Sequence, residues 1–389
     1  MRSFARLLFL LLAPLTGIAP AAQAAPGHYH LLVGTYTSGK SLGLYLYQFD
    51  SGTGHVDGPL RVTQTPNPSY LSFSRDGHTL FAVNENGRGT QGDSIGRATS
   101  FAFDPVSGAL QQISQAKTLG DHPTYSSVSP DGRYLFVANY SVQPEGSLAV
   151  LPIQPGGVLG PVVQLEAHQA SHVNSERQAS GHVHSAVMSP KGDFLFAPDL
   201  GADKVFVYRY QADNPERPLL PANPAFVPVP AGSGPRHLVF SADGRYAYLT
   251  LELSGQVMAF SVEGGQLHQL QTYTLAPPGF KGKVGAGALH LSADGRFLYV
   301  VNRGDDNHLV AFSVDASSGL LDFVERQPVQ GREPREFAIA PGGRFVLVAN
   351  QNSDQIRVFA RDPQSGKLGK LLQTLEVGAP ADLRFVAIP

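Results

Sequence analysis

The sequence contains no cysteine. That excludes disulfides and a thiol nucleophile, and leaves stability to packing alone even in an oxidising compartment. Charge of one sign is equally scarce. The 29 basic and 31 acidic residues nearly cancel to a formal charge of −2, with no polybasic arm or acidic tail. Without a basic field, nucleic acid is not expected as a partner. Walker, EF-hand, dinucleotide-binding and nucleophile-elbow motifs are all missing. Gly232-Ser233-Gly234 is not a phosphate loop, since no helix N-terminus follows it. What the chain does have is 42 glycines, 30 prolines and 42% apolar residues, which suits a soluble all-β protein with many turns.

The first residues read apart from the rest. Arg2 and Arg6 precede the apolar run Leu7–Leu12, residues 13–21 are small and proline-broken, and Ala22-Gln23-Ala24 fits a small-x-small cleavage site. The apolar stretch is too short to span a bilayer of about 30 Å. Residues 1–24 are therefore expected to be a cleaved signal peptide, and the mature protein to be periplasmic or secreted without a membrane partner. Loss of Arg2 and Arg6 leaves 27 basic residues against 31 acidic.

One pattern recurs from there on: a small residue, x, Asp, Gly, x, x, then an apolar run ending in a polar residue. It reads SRDGHTLFAVNE from Ser74, SPDGRYLFVANY from Ser129 and SPKGDFLFAPDL from Ser189. It returns as SADGRYAYLTLE from Ser241, SADGRFLYVVNR from Ser292 and APGGRFVLVANQ from Ala340. The turn glycines Gly77, Gly132, Gly192, Gly244, Gly295 and Gly343 follow at intervals of 48 to 60 residues. A period near fifty with strand chemistry means radial repetition. Each unit predicts an inner strand A, a tight Asp-Gly turn, a strand B apolar on both faces, a strand C and a weaker strand D. Six units are complete. His28–Asp50 supplies strands B and C without a strand A, and Asp382–Ile388 reads as a strand A with nothing after it. Joined, they make a seventh unit, so residues 25–389 predict an all-β, seven-bladed β-propeller closed by its two ends.

Topology then selects one rim. Strands A and B are antiparallel, so the starts of A and the ends of B from all blades converge on the mouth of the central channel. At the starts of A stand Asn67–Tyr70, His122–Tyr125, His182–Ser185, Gly234–His237, Gly285–Ala288, Glu333–Glu336 and Pro380–Asp382. At the ends of B stand Thr35-Tyr36, Asn84-Glu85, Asn139-Tyr140, Asp199-Leu200, Leu251-Glu252, Asn302-Arg303 and Asn350-Gln351. Repeated Asn or Asp there has a plain explanation in satisfying backbone groups where a strand stops. Histidine, arginine and glutamate have no such duty. Acyl-type hydrolysis needs a base for water and a cation or donor for the oxyanion. His184, Arg236 and Glu252 are therefore the catalytic candidates, and His182, His237, Arg303, His122, Tyr125 and Glu336 the substrate-binding ones. A structural ion pair remains the alternative for Arg236 with Glu252, and satisfied turn histidines the alternative for His182 and His184. His290 reads as a core histidine, and the insertion 166–181 as a lid over the mouth. A zinc site of His168, His172, His182 and His184 lacks tight ligand spacing, so no metal or other cofactor is expected.

These residues resemble a known family. The segments VGTYTSGKSLGLYLYQFD from Val33, HPTYSSVSPDGRYLFVANY from His122 and ERQASGHVHSAVMSPKGDFLFAPDLG from Glu176 are similar to the propeller-type lactonases, which include 6-phosphogluconolactonase and carboxymuconate-lactonizing enzyme. GSGPRHLVFSADGRYAYLTLELSG from Gly232, LHLSADGRFLYVVNRG from Leu289 and PREFAIAPGGRFVLVANQNSD from Pro334 extend the likeness over nearly the whole mature chain. The usual Pro before His-x-His is Gly181 here, and Lys191-Gly192 replaces the usual Asp after Ser-Pro; neither touches a candidate group. The resemblance implies a metal-independent lactone hydrolase acting on a small sugar lactone; a propeller packs well alone, so a monomer is expected. The resemblance also implies a site of one His (His184 or His182), two Arg (Arg236 and Arg303) and Glu252. A phosphogluconolactonase belongs with cytoplasmic sugar metabolism, whereas this chain carries an export signal; an unphosphorylated lactone is the substrate that fits both. A non-catalytic binding propeller and a lactonizing cycloisomerase share the same repeat.

Overall fold

Strand B decides the architecture, because its side chains are apolar on both faces and must be covered on both. In the computed structural model, which describes residues 27–88, 95–141 and 146–389, Tyr134–Asn139 and Phe345–Asn350 are buried along their full length. The expected signal peptide, residues 1–24, lies outside the described residues. Seven antiparallel sheets stack face to face around one axis, each ordered A-B-C-D from the inside out. Their apolar clusters straddle neighbouring sheets: Phe337, Val346 and Val348 pack with Tyr299 and Val301 of the blade before. Numbering blades from the first complete repeat, the A strands of blades 1 to 3 are Tyr70–Phe73, Pro123–Val128 and Val187–Met188. Those of blades 4 to 6 are Pro235–Phe240, Val284–Leu291 and Pro334–Ile339. Outer strands face water, so Leu219–Pro228 alternates between half-buried and exposed positions. Among the described residues, no helix is long and apolar enough to cross a membrane.

Blade 7 is built from both ends of the chain. Its strand A is Pro380–Ala387, and it pairs antiparallel with His28–Thr35 from Tyr29 opposite Ala387 to Thr35 opposite Pro380. The expected closure is therefore the observed one. It satisfies the backbone groups of an innermost strand that would otherwise be an unpaired edge.

The Asp-Gly turns do more than reverse the chain. The six turn glycines have φ between 70° and 77°, a region only glycine enters without strain. The Arg two residues after the Asp reaches back and across. Arg245 donates from Nε to Asp243 and from Nη2 to the Ala316 carbonyl of the next blade, and Arg296 does the same with Asp294 and Pro363. Arg344 donates to the Ser51 and Gly52 carbonyls, which ties blade 6 to blade 7. On the rim away from the mouth, blades 4, 5 and 6 are thus each stapled to the next blade.

At the mouth, the repeated Asn and Asp behave as backbone partners. Asn139 Nδ2 donates to the Thr118 and Gly146 carbonyls, and Asp199 accepts from the His182 and Ala202 N–H groups. Most A strands also begin irregularly. The pairing register slips between Pro123 and Tyr125, Pro235 and Leu238, Ala286 and Leu289, Pro334 and Glu336, and beside Pro380. A bulge re-aims side chains. Here it falls on Thr124, Arg236, Gly287, Arg335 and Ala381. In blade 3, where the regular strand shrinks to two residues, the equivalent position is His184, preceded by an isolated bridge of Val183 to Asp199.

Closure generates a test. Removing residues 380–389 strips His28–Thr35 of its inner partner, and the shortened chain is expected to lose its cooperative thermal transition and to self-associate through the open edge. A melting temperature within a few degrees of the full chain, with a monomeric elution volume, would contradict this role for the terminal strand.

Candidate active site

Two positions of a blade carry the charged groups of the mouth: the bulged residue opening strand A and the residue at or just past the end of strand B. In blade 4 these are Arg236 and Glu252, and Arg236 Nε donates to Glu252 Oε2 at 2.9 Å. Arg303, ending strand B of blade 5, reaches the same oxygen with Nη2 at 3.0 Å and also pairs with Glu333 at 3.1 Å. Its guanidinium lies back across Gly287, where a Cβ would stand 3.3 Å from Arg303 Nε and only 2.7 Å from Val301. Glycine at that bulge leaves the space Arg303 occupies. The third cation was not among the sequence candidates. Arg177, from the insertion 166–181, donates from Nη2 to Glu252 Oε1 at 2.6 Å and to the Tyr140 hydroxyl at 2.9 Å. An Asn174 side chain that accepts from the Glu176 and Arg177 N–H groups holds this turn. The insertion expected to act as a lid thus contributes a partly exposed arginine, paired with a buried carboxylate, to the mouth.

One carboxylate between three guanidiniums has clear electrostatic consequences. Burial alone would raise the Glu252 carboxyl, but Arg303, Arg236 and Arg177 outweigh it and hold the pKa down at about 2. Glu252 is therefore an anion at every working pH and a weak base; its part is to hold guanidiniums. Arg236 is 1% exposed. Burial, and then repulsion from Arg303, pull its pKa down to about 9, so it stays charged at neutral pH. Among the described residues, Nε is the one guanidinium nitrogen with a hydrogen-bond partner, and Nη1 is buried without one.

The two histidines flank Tyr140. His182 stacks on its ring with centroids 4.4 Å apart, while His184 meets it edge-on at 5.7 Å. His182 Nδ1 contacts the Tyr140 carbonyl oxygen, so Nδ1 carries the proton and Nε2 the lone pair. His184 Nε2 lies 4.0 Å from Glu252 Oε2. Burial lowers both histidines below the ordinary imidazole range, and Arg236 pushes His184 further down. Both are neutral at pH 7.

The remaining sequence candidates separate by depth. His237, Tyr125 and Glu336 follow the bulge and line a second tier below the mouth. His237 packs edge-on against His184 at 5.2 Å and Tyr125 at 5.6 Å, and Tyr125 lies 4.2 Å from Tyr70. Glu336 accepts from His290 at 2.7 Å, so His290, read from the sequence as a core histidine, is half-buried and spent on this carboxylate. In the same tier Arg384 bonds Asp382 at 3.0 Å and covers the Tyr70 ring. Burial raises Asp382 to about 6. The side chain of His122 packs against Gly87, and its carbonyl accepts from the Tyr140 N–H; the structure does not bring it to Glu252. His168 spends both ring nitrogens on Asp199 and Tyr208 and stacks on Phe206, while His172 is exposed.

Across the opening stand groups that sequence reasoning passed over. Arg335 fills in blade 6 the bulge that Arg236 fills in blade 4, and Glu85 follows strand B of blade 1 as Glu252 follows that of blade 4. They pair at 3.3 Å. Tyr36 and Ser69 donate to the same Glu85 oxygen at 2.6 and 2.5 Å. The signal was available, because both residues occupy the columns that yielded Arg236 and Glu252.

The ion cluster predicts a stability effect. Glu252→Gln leaves Arg236 buried without its counter-charge, a change that costs about 3–5 kcal/mol when one partner of a buried pair is removed. Chemical denaturation should show a correspondingly lower midpoint; an unchanged midpoint would mean the three guanidiniums relax into solvent.

Comparison with known proteins places the fold in a family. The family model described as a seven-bladed β-propeller lactonase matches residues 30–385. The chain is 33% identical over 357 residues to the 6-phosphogluconolactonase of Formosa agariphila, covering 91% of this chain and 99% of that one. It is 31% identical over 356 residues to the 6-phosphogluconolactonase of Bacillus subtilis, covering 91% and 97%. Among solved structures, the periplasmic gluconolactonase PpgL of Pseudomonas aeruginosa matches with a TM-score of 0.92 and 72% identity, over 93% of this chain and 100% of that one. The ring and the relatives agree, and the chain belongs to the seven-bladed β-propeller lactonase family.

Proposed function

We propose that this protein is an exported hydrolase that opens an unphosphorylated sugar lactone at the channel mouth, with Arg236 as the oxyanion donor and His184 as the base. The observation that carries the reading is Arg236: a buried guanidinium, charged at neutral pH, that spends only Nε on Glu252. Its Nη donors remain for a carbonyl oxygen, and donors set in place beforehand in a dry site are the largest source of stabilisation for a developing oxyanion. His184 is the nearer histidine to that guanidinium through Glu252, and it is neutral and able to accept a proton.

The steps balance without a further reactant. Water loses a proton to His184 Nε2 as its oxygen adds to the lactone carbonyl, and the oxyanion forms against Arg236. Collapse of the tetrahedral intermediate breaks the ring C–O bond, and the leaving alkoxide takes the proton back from His184. The aldonic acid then ionises in water. Glu252 fixes the guanidiniums, His182 and Arg303 line the entry, and the reading calls on no metal because imidazole and guanidinium supply base and electrophile.

Two features favour a substrate without phosphate. Among the described residues, each arginine of the mouth already faces a carboxylate: Arg177, Arg236 and Arg303 share Glu252, and Arg335 faces Glu85. Residues 1–24 read as an export signal, and the Pseudomonas neighbour is described as a periplasmic gluconolactonase. The sheets bury one another within one ring, so the reading is of a monomer.

Protein lacking residues 1–24 should hydrolyse glucono-δ-lactone above the spontaneous rate, followed by proton release, and EDTA should leave the rate unchanged. Arg236→Ala and His184→Ala should each lower kcat by about 10²–10³ with the fold intact by circular dichroism. A protein that turns over no δ- or γ-lactone, or that forms a lactone from a muconate instead, would overturn the reading. The pH profile offers a separate check. A base must be unprotonated, and burial lowers His184 below 6.5, so kcat/KM should stay level from pH 8 to 6.5 and fall only at more acid pH. An acid limb centred above 7 would assign the base elsewhere.

A further inference from the structure

The mouth contains two Glu–Arg stations, and they are finished differently. At Glu252 both carboxylate oxygens are occupied by guanidiniums. At Glu85 a single oxygen, Oε2, receives everything: the Tyr36 hydroxyl at 2.6 Å, the Ser69 hydroxyl at 2.5 Å and Arg335 Nη2 at 3.3 Å. Oε1 has no hydrogen-bond partner among the described residues. The carboxylate is clamped on one side and open on the other. Arg335 is held as firmly, lying over the Tyr36 ring 4.9 Å from its centroid, with a side chain only 15% exposed.

We propose that Glu85 is a specificity residue of the mouth, accepting hydrogen bonds from the ring hydroxyls of the substrate and repelling a phosphorylated ring. The proposal rests on the lactone reading above for its substrate class. The chemistry follows from the donor set. An oriented carboxylate oxygen accepts from an alcohol and repels a phosphate or carboxylate, while the neighbouring guanidinium donates to an adjacent hydroxyl oxygen. A vicinal diol offers one donor and one acceptor at that spacing, and a δ-lactone of a sugar carries such hydroxyls on the carbons away from its carbonyl. The two stations share one opening, close enough that the charges of Glu252 and Arg335 bear on each other. In the proposed pose one ring meets both: its carbonyl at Arg236, its hydroxyls at Glu85. Tyr36 and Ser69 are positioning residues that fix which carboxylate oxygen stays open.

The experiment separates recognition from chemistry. For wild type, Glu85→Gln and Tyr36→Phe, kcat/KM is measured on glucono-δ-lactone and on δ-valerolactone, which has the same ring and no hydroxyls. A hydrogen bond to a charged group is worth enough to set a tenfold preference or more. Glu85→Gln is expected to reduce the ratio of the two constants about tenfold, and Tyr36→Phe to reduce it about threefold, chiefly through KM. In parallel, 1,5-anhydro-D-glucitol, which keeps the ring hydroxyls and lacks the carbonyl, is titrated against the same proteins and against His184→Ala by saturation-transfer NMR. It should bind wild type and His184→Ala and lose binding in Glu85→Gln. Parallel loss on both lactones with an unchanged ratio would make Glu85 merely structural and overturn the proposal, as would unaltered probe binding in Glu85→Gln or no binding to wild type. Wild type that binds the probe through Glu85 yet hydrolyses neither lactone would instead sink the lactone reading alone. If Glu85→Gln does not fold, Tyr36→Phe decides on the same ratio.

Discussion

The pairing of Pro380–Ala387 with His28–Thr35 turns seven separate sheets into a ring, and the mouth exists only because that ring closes. An open stack would leave its first strand B without an inner neighbour, and its seven A-strand starts would fan apart. Closure fixes the radius, and with the radius the distance between side chains that lie hundreds of residues apart in sequence. Glu85 and Arg335 are 250 positions apart and still hydrogen-bonded.

Given a fixed radius, the chemistry of the opening is decided by charge balance in a place with little water. Four guanidiniums converge there, which in isolation would be strongly unfavourable. Glu252, Glu333 and Glu85 are distributed so that each cation has a counter-charge. Such pairs contribute little net stability, because desolvation offsets attraction, but losing one partner exposes the full penalty. The cluster is therefore better understood as a device for holding donors in fixed directions than as a source of folding energy. The neutral histidines follow from the same field: burial together with the nearby arginines keeps protons off them.

Much of this was legible in the sequence, and the reasons for the rest are physical. The repeat gave the blades, their number and the closing strand, because Asp-Gly turns and apolar B strands have local causes. Reading the repeat in columns found His184, Arg236, Glu252 and Arg303 together. It did not resolve depth. A one-residue bulge after the Pro column leaves no mark in the sequence, so His237, Tyr125 and Glu336 looked like mouth residues and lie a tier lower. Arg335 and Glu85 stand in the same columns as Arg236 and Glu252, but they come from blades 6 and 1, and their pairing is set by the closed ring rather than by any local pattern. Arg177 was beyond reach: it comes from an insertion outside the repeat, and only the path of that loop brings it to Glu252. His122, at the start of an A strand, takes a left-handed backbone with φ of 55° and turns toward Gly87.

The bulged position has a consequence for how such a protein changes over time. Ser69, Thr124, His184, Arg236, Gly287, Arg335 and Ala381 hold equivalent places in seven blades, yet they differ in almost every property. Behind each lies the same apolar B strand, so the scaffold tolerates the variety. A substitution at Thr124 or Ala381 would set a new functional group facing the axis without disturbing the sheets that support it. The ring is in this sense a turret of interchangeable tool positions, and diversification of its chemistry can proceed one blade at a time.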